Sequence, residues 1–265
     1  MTHHEHHYAA LLLAYDGAVA TVTLNRPEKR NAISYELIEE IHHALHDVQK
    51  SSAHIMIFTG AGAAFCSGMD LDNLRQITKH TEEENLADSG RIAHMFRALY
   101  DFPKVTMAAV NGAAIAGGCG LATLCDFTIA SSAAKFGYTE VRIGFVPAIV
   151  STFLLRQVGE KRARDLLLTG RIIDAEEAFR IGLVNEVVAP ENLLARAQEL
   201  AQTLAANSPA SLLATKRLLR TFSHEELDRQ VAAAVAENAR IRTTHDFREG
   251  VASFLEKRKP IWTGR

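Results

Sequence analysis

The chain has 265 residues, 48% of them hydrophobic and 23% charged, and its formal net charge is −2. This length can bury a large core, and the near-neutral charge gives no broad basic field to attract nucleic acid or an anionic membrane. The chain has three cysteines, an odd number, in apolar or glycine-rich surroundings. No apolar run reaches membrane-spanning length. The N-terminus lacks the basic segment followed by an apolar segment that a signal peptide has. We therefore expect a cytoplasmic protein without a disulfide framework, a nucleic-acid partner or a membrane segment.

Histidines cluster at the N-terminal tip (residues 3–7) and, as His42 and His46, on one predicted helix. The tip has the composition of a terminal tail and could hold a transition metal only weakly. The helical pair has metal-ligand spacing, but position 43 is not glutamate and no third ligand is apparent. We expect a tail and an exposed helix face, and no metal site.

The first two thirds of the chain alternate between strand and helix patterns. Residues 8–25 alternate in polarity around Asp16-Gly17, which predicts a hairpin. After a polar loop, Ser34 can cap a helix that runs to about Lys50. Further strands are predicted at 54–59, 105–110, 126–130 and 183–188, and further helices at about 83–100, 121–124, 149–158, 160–168 and 174–181.

This alternation predicts an α/β fold with a parallel sheet, because strands joined through helices need right-handed crossovers. After about Pro190 the pattern is helical almost throughout. A helical appendage that cannot bury its own apolar face should cover the core or a partner subunit. We therefore divide the chain into a core at 1–192 and a helical region at 193–265.

Two glycine-rich turns, at 64–71 and 116–120, each follow a predicted buried strand. A strand that turns into a helix leaves backbone N–H groups unpaired at the helix start. One such group from each turn could converge on a carbonyl oxygen and stabilise an enolate-like transition state by on the order of 3 kcal/mol per donor. Either turn could instead serve only to redirect the chain.

Short motifs lie in order along nearly the whole chain. They are Leu24-Asn25-Arg26-Pro27 with Arg30-Asn31-Ala32, Ala64-Phe65-Cys66-Ser67-Gly68-Met69-Asp70-Leu71, Asn111-Gly112 with Gly117-Gly118-Cys119-Gly120-Leu121 and Cys125-Asp126, Phe136-Gly137 with Glu140, Gly144 and Pro147, Leu168-Thr169-Gly170-Arg171, and Phe247-Arg248-Glu249-Gly250. Together they resemble the enoyl-CoA hydratase/isomerase family, the crotonase superfamily. One motif alone would be weak, but the ordered set is specific.

The resemblance implies a crotonase-like spiral of ββα units, with the helical region at 193–265 used for trimerisation. It also implies a homotrimer or a dimer of trimers. The substrate would be an acyl-CoA thioester, so CoA is part of the substrate and no metal or redox cofactor is implied.

Carried over position by position, the resemblance implies an oxyanion hole made by the backbone N–H groups of Met69 and Gly117, which would hold the thioester oxygen. Glu140 falls on a catalytic glutamate position. It lies between apolar residues, and burial would raise its pKa towards the range useful for moving protons. From the residues alone, an exposed loop carboxylate is the alternative.

The first glycine-rich turn is also implied to bind CoA. The loop from Ala64 through Gly68 and Asp70 to Leu71 would cradle adenine and pantetheine through its backbone groups. The binding role is therefore assigned to the loop as a whole.

Two basic positions and one aromatic position complete the implied CoA site. Arg26 and Lys29 would contact phosphates near the mouth. Phe254 and Lys257 match positions from which the C-terminal helices complete the site, often across a subunit boundary. For Lys29 and Lys257 a solvated surface position is an equal alternative.

Gly120 stands where typical two-acid hydratases of the family carry a second glutamate, which positions water with the first. Cys119 and Leu121 offer no carboxylate, and Asp126 matches a structural aspartate. One carboxylate must then serve alone, or an acid from elsewhere or from the substrate must assist. The segment 140–150 resembles bacterial methylglutaconyl-CoA hydratase-like members, some of which also have glycine at this position.

Three functions fit this set of residues. The one we favour is a hydratase acting across the 2,3-double bond of an enoyl-CoA, with Glu140 handling the proton at C2. The second is an isomerase that moves a double bond from the 3,4 to the 2,3 position with the same glutamate, and the third is a non-catalytic CoA-thioester binder. The polar stretch 78–85 is expected to be a mobile loop near the acyl pocket, which either helps to set substrate preference or has no function.

Overall fold

The computed structural model describes residues 8–265, so the predicted histidine-rich tail lies outside the described residues. The strands are β1 (Leu11–Asp16), β2 (Val19–Leu24), β3 (Ile55–Gly60), β4 (Ala64–Cys66), β5 (Val105–Val110), β6 (Ala113–Ile115), β7 (Phe127–Ser131), β8 (Lys135–Gly137), β9 (Ile172–Asp174) and β10 (Glu186–Val188). The helices are α1 (Tyr35–Lys50), α2 (Leu71–Ile77), α3 (Glu82–Tyr100), α4 (Gly117–Thr123), α5 (Ala148–Val158), α6 (Glu160–Thr169), α7 (Ala175–Arg180), α8 (Leu193–Ala205), α9 (Pro209–Thr221), α10 (His224–Ile241) and α11 (His245–Leu255). Short 3-10 helices lie at Pro27–Lys29, Glu140–Ile143 and Pro190–Asn192. No helix of the described part is long and apolar enough to cross a membrane.

A repeating unit builds the core: a strand of a large sheet, then a strand of a small sheet, then one or two helices. The large sheet has the order β1-β2-β3-β5-β7-β10, and the small sheet has the order β4-β6-β8-β9. Along the chain β3 therefore leads to β4, β5 to β6 and β7 to β8. Neighbouring strands are parallel except for the pairs β1–β2 and β8–β9. The predicted α/β class and the spiral of ββα units are confirmed.

Strand β5, in the middle of the large sheet, is apolar at every position except Thr106. Val105, Met107 and Ala109 pack on one side of the large sheet with α8, whereas Ala108 and Val110 pack on the other side in the main core. Side chains of a strand alternate between the two faces, so a strand covered on both faces favours apolar residues throughout, and the buried Thr106 is hydrogen-bonded to Asp126. The strand ends where the second glycine-rich segment begins.

The small sheet and α2 are absent from the sequence-based prediction. Each strand of the small sheet has three residues, which is too short for an alternation pattern to show. The expectation of a loop over 78–85 is wrong for its second half. Thr81 caps α3, and Thr81 and Glu84 form a capping box, so the helix already begins at Glu82.

The C-terminal helices cover the core and leave apolar side chains exposed. α8 packs on the large sheet through Leu193, Ala197 and Ala201, while α10 contacts α3 and α5. α9 has no buried residue, and Leu219 and Phe222 on it and at its end are exposed. An uncovered apolar face of this kind is what an oligomer would bury. The boundary at 192/193 and the trimer stay predictions.

Asn31 fixes the loop after β2 against the start of the small sheet. Its buried side chain donates hydrogen bonds to Ala61 O at 2.9 Å and to Ala64 O at 2.8 Å, and it accepts one from Arg26 N at 2.9 Å. Its φ is +54°, a region that asparagine tolerates better than most residues. Because Ala64 begins β4, this side chain holds the strand that leads into the first glycine-rich turn.

We predict that Asn31→Ala lowers the free energy of unfolding by about 2–4 kcal/mol, because it removes three hydrogen bonds, two of which reach the carbonyl groups of Ala61 and Ala64. Urea denaturation at a fixed protein concentration measures the change. Asn207→Ala is the control, because Asn207 is exposed and its side chain makes no hydrogen bond within residues 8–265. A loss of less than about 0.5 kcal/mol for Asn31→Ala, the range of ordinary surface changes, would contradict this role.

Candidate active site

The two glycine-rich turns lie against each other. Gly68 in the first turn has a φ of +86°, and a Cβ atom placed on it would lie 3.0 Å from both Ala116 Cβ and Ile115 O in the second turn. Glycine meets both demands because it has no side chain and accepts positive φ. The structure thus brings together the two segments that the sequence separates by about fifty residues.

Met69 follows Gly68 and presents its backbone N–H group away from the neighbouring strand. Ile33 N donates to Gly68 O at 2.7 Å, and Asp70 N donates to Ile33 O at 3.0 Å, which makes Ile33 and Met69 an isolated parallel bridge. These hydrogen bonds use the carbonyl group of Gly68 and the N–H group of Asp70. The N–H and carbonyl groups of Met69, which lies between them, therefore point away from Ile33. Its N–H group has no acceptor within the described residues, and Met69 lines a cavity.

Gly117 supplies a second free donor. It is the first residue of α4, so its N–H group has no acceptor within the helix. The preceding residue, Ala116, has a φ of +51°, and its carbonyl group accepts hydrogen bonds from Cys119 N at 2.9 Å and Gly120 N at 3.2 Å. A non-glycine residue in this region is strained, and such strain concentrates at functional sites. Gly117 lines the same cavity as Met69.

This cavity has a volume of about 760 Å³, within the range of small-molecule sites. A Cβ atom placed on Gly117 would lie 3.6 Å from Phe96 Cζ, so the aromatic ring borders Gly117. The wall beyond it is largely apolar and includes Ile33, Ile38, Ile92, Phe145, Ile149 and Val150. The cavity therefore combines two backbone donors with an apolar chamber.

Glu140 is the buried carboxyl of this cavity. It begins the 3-10 helix after β8, and only 8% of its surface is exposed. Its Oε2 atom is buried and has no hydrogen-bond partner in the described part of the protein. Burial raises the pKa of Glu140 from 4.5 to about 7, and a hydrogen bond from its own backbone N–H opposes the rise only in part. A carboxyl group of this pKa can both accept and donate a proton near neutrality.

The position of the missing second acid is filled by hydrocarbon. A Cβ atom placed on Gly120 would lie 2.5 Å from Val150 Cγ1 and 3.4 Å from Phe96 Cε1. A glutamate there would therefore require Val150, which is buried, to move. The glycine and the valine fit each other, so the structure provides no room for a second carboxylate at this point.

The other aspartates that the sequence pointed to are engaged elsewhere. Asp70 forms an ion pair with Arg26 at 2.8 Å and caps α2. Asp126 accepts from Lys216 Nζ at 2.6 Å and from Thr106 N at 2.8 Å, which confirms that it is structural. Among the described residues that line the cavity, Glu140 is the only buried carboxyl without a cationic partner.

The residues predicted to bind CoA fall into two groups. Lys29, Leu71 and Phe254 are exposed and line the cavity, as does the buried Asp70. They come from separate elements, the 3-10 helix at Pro27–Lys29, α2 with its cap, and α11. A large ligand at the opening would touch all three elements.

Arg26, Ala64, Gly68 and Lys257 are not part of the cavity wall. Arg26 is held by Asp70 and donates to Ala32 O at 2.7 Å, while Ala64 is buried in β4. Lys257 is exposed just after α11, with a φ of +55°. Their roles in binding stay predictions, and Arg26 and Ala64 have packing roles in addition.

Sequence reasoning missed three cations at the cavity, of which Arg258 is paired with Glu249 and Glu256. Arg30 and Arg142 line it, are exposed, and form no ion pair within residues 8–265. Arg30 directly follows Lys29, and Arg142 is two residues after Glu140. A search for basic residues beside the positions already singled out would have found both.

Comparison with known proteins agrees with this geometry. The family model described as enoyl-CoA hydratase/isomerase matches residues 14–265. A Thermus thermophilus relative is 45% identical over 92% of this chain and 97% of its own, and the Clostridium acetobutylicum short-chain-enoyl-CoA hydratase is 34% identical over 94% and 95%. The crystal structure of an enoyl-CoA hydratase/isomerase from Xanthobacter autotrophicus Py2 superposes with a TM-score of 0.87 at 31% identity, over 95% of this chain and 97% of that one. The chain therefore belongs to the enoyl-CoA hydratase/isomerase family, the crotonase superfamily.

Proposed function

We propose that the protein is an enoyl-CoA hydratase, which adds water across the 2,3-double bond of an enoyl-CoA thioester. The observation that carries the proposal is the buried, unpaired carboxyl group of Glu140 on the same cavity as the free N–H groups of Met69 and Gly117. Burying an unpaired carboxyl group lowers the stability of the fold, and a protein that only binds CoA thioesters would gain nothing from it. The name of the Clostridium acetobutylicum relative supports the reaction.

The two N–H groups would hold the thioester oxygen. As a nucleophile adds to C3, negative charge moves to this oxygen and an enolate forms. Fixed donors in an enclosed, largely apolar site stabilise that charge without reorganising, by on the order of 3 kcal/mol per donor. Met69 and Gly117 therefore act through their backbone, and their side chains are not required for this step.

Glu140 would then complete the proton cycle alone. As carboxylate it takes a proton from the water whose oxygen bonds to C3, and as carboxylic acid it gives a proton to C2 of the enolate. Water is consumed, one C–O and one C–H bond form, and Glu140 returns to its starting state. A pKa of about 7 suits both half-steps, because neither protonation state is strongly favoured at neutral pH.

An isomerase is the second candidate, and the packing of Gly120 against Val150 favours it. Moving a double bond from the 3,4 to the 2,3 position requires one base, which removes a proton from C2, next to the thioester, and returns it to C4. No water has to be positioned, so the absence of a second acid has no consequence. The same two N–H groups would stabilise the same kind of enolate.

The proposal includes a homotrimer or a dimer of trimers and CoA as part of the substrate, without a further cofactor. The exposed apolar side chains of Leu219 and Phe222 support an oligomer. Lys29, Arg30 and Arg142 support a ligand that carries phosphate groups, since they place positive charge at the opening.

We predict that Glu140→Gln lowers kcat by about 10²- to 10⁴-fold, because the amide has the same shape but cannot carry the proton. Steady-state kinetics with crotonyl-CoA measure the loss. Glu191→Gln is the matched control, because Glu191 is exposed and far along the chain in the 3-10 helix before α8. If Glu140→Gln retained most of the activity, Glu140 would not be the proton shuttle.

We predict that kcat/KM rises with pH through an apparent pKa of about 7 and then levels off. The sign follows from the cycle, because the carboxylate must act first in both the hydratase and the isomerase reaction. Initial rates from about pH 5 to about pH 9 give the profile. A midpoint near the ordinary 4.5, or a rate that falls as pH rises through neutrality, would contradict the assignment.

A turnover panel of crotonyl-CoA, 3-methylglutaconyl-CoA and a 3-enoyl-CoA separates the two reactions. The third substrate is the control for isomerase activity. We expect loss of the conjugated double bond with crotonyl-CoA, and 3-methylglutaconyl-CoA is included because of the resemblance at 140–150. Formation of conjugated product from the 3-enoyl-CoA, with no hydration of the other two, would replace the hydratase by the isomerase.

A further inference from the structure

Asn238 places a buried polar side chain in the largely apolar wall of the cavity. Asn238, on α10, lines the cavity and is 5% exposed. Its Oδ1 atom accepts hydrogen bonds from Ser89 Oγ at 2.7 Å and from Arg242 Nη2 at 2.8 Å. A guanidinium group only donates, so the amide is fixed with oxygen towards Arg242. The Nδ2 group is left without an acceptor in the described residues, and it is not among the fully enclosed atoms.

A buried ion pair holds this amide in place. Arg242 is fully buried, its Nη1 atom lies 2.5 Å from Asp88 Oδ2, and its guanidinium carbon lies 5.5 Å from the centroid of the Phe145 ring. Neither Arg242 nor Asp88 lines the cavity. The pair carries one positive and one negative charge, so the environment behind Asn238 has no net charge.

The position of Asn238 relative to the free N–H groups can be followed along α3. Phe96 borders Gly117, Ile92 lines the cavity one turn earlier, and Ser89 bonds Asn238 another turn earlier. From Phe96 to Ser89 the helix rises by about 10 Å. An acyl chain held at Gly117 and running along this face passes two apolar side chains before it reaches Asn238.

We propose that Asn238 selects acyl chains that carry a neutral acceptor oxygen, such as a ketone, near their far end. This inference rests on the proposed function, because it takes an acyl-CoA as the ligand. A donor that faces hydrocarbon loses its hydrogen bonds to water, whereas a ketone oxygen replaces them. A carboxylate fits less well, because Arg242 is already paired with Asp88 and no net positive charge is left behind Asn238 to match it.

Binding of saturated acyl-CoAs tests the inference independently of turnover. Isothermal titration calorimetry with octanoyl-CoA, 7-oxooctanoyl-CoA and octanedioyl-CoA compares a hydrocarbon, a ketone and a carboxylate at matched chain length. We expect the wild-type protein to bind the ketone about 10-fold more tightly than the hydrocarbon and also more tightly than the carboxylate. Equal affinity for all three, or a preference for the carboxylate, would overturn the inference.

Asn238→Asp is the decisive variant. Its carboxylate can still accept from Ser89 and Arg242, but it presents an acceptor where Nδ2 was, so the ratio of ketone to hydrocarbon affinity should fall about 10-fold. Ser89→Ala removes one of the two bonds that orient the amide without adding charge, and it should lower the same ratio. Asn192→Asp, at an exposed position, should leave the ratio unchanged.

A purely structural role for Asn238 would weaken both ligands equally, and an unchanged ratio in both Asn238→Asp and Ser89→Ala would overturn the inference. Crotonyl-CoA turnover by the wild-type protein separates this outcome from failure of the proposed function. Tight ketone binding without turnover would remove the enzyme assignment and keep the selectivity. Turnover without a preference for the ketone would keep the enzyme assignment and remove the selectivity.

Discussion

The central constraint in this protein is a carboxyl group buried without a cation beside it. Burial raises the pKa of Glu140 from 4.5 to about 7. At high pH, where the folded protein must hold the charged carboxylate, this shift lowers the free energy of unfolding by about 3 kcal/mol. Between these two pKa values the unfolded chain releases the proton and the folded chain keeps it, so stability falls as pH rises through this window. The fold tolerates this because two sheets and the surrounding helices bury a large core around the site. The same burial that lowers stability at high pH allows this carboxyl group to exchange protons at neutral pH.

The two backbone donors depend on how the repeating unit is built. Each strand of the large sheet feeds a short strand of the small sheet, and the turns after β4 and β6 meet because β4 and β6 are paired. Gly68 permits the close approach, and the bridge between Ile33 and Met69 turns one N–H group away from the strand. The pairing of β4 with β6 therefore places the two backbone donors side by side. The third repeat adds Glu140, which lies three residues after the end of β8. The match between Gly120 and Val150 leaves this carboxyl group to act alone.

The sequence predicted the features that depend on long, regular patterns. Strand β5, helix α1 with Ser34 as its cap, and the hairpin around Gly17 agree with their predicted positions, because burial on one or two faces imposes a visible period on residues. Three-residue strands have no such period, so the small sheet was interpreted as turns. The ordered motifs identified the family, but Val150 opposite Gly120 and the orientation of Asn238 are set by packing between distant segments. No local pattern records contacts of that kind.

The measurement that tests the central claim most directly is the pKa of Glu140 itself. Infrared difference spectra of the wild-type protein against Glu140→Gln, recorded across a pH titration, isolate the carboxyl band of this one residue. We expect it to convert from carboxylic acid to carboxylate with a midpoint of about 7. A midpoint near the ordinary value of 4.5 would show that the carboxyl group is solvated or paired, and would contradict a lone buried proton carrier at this site.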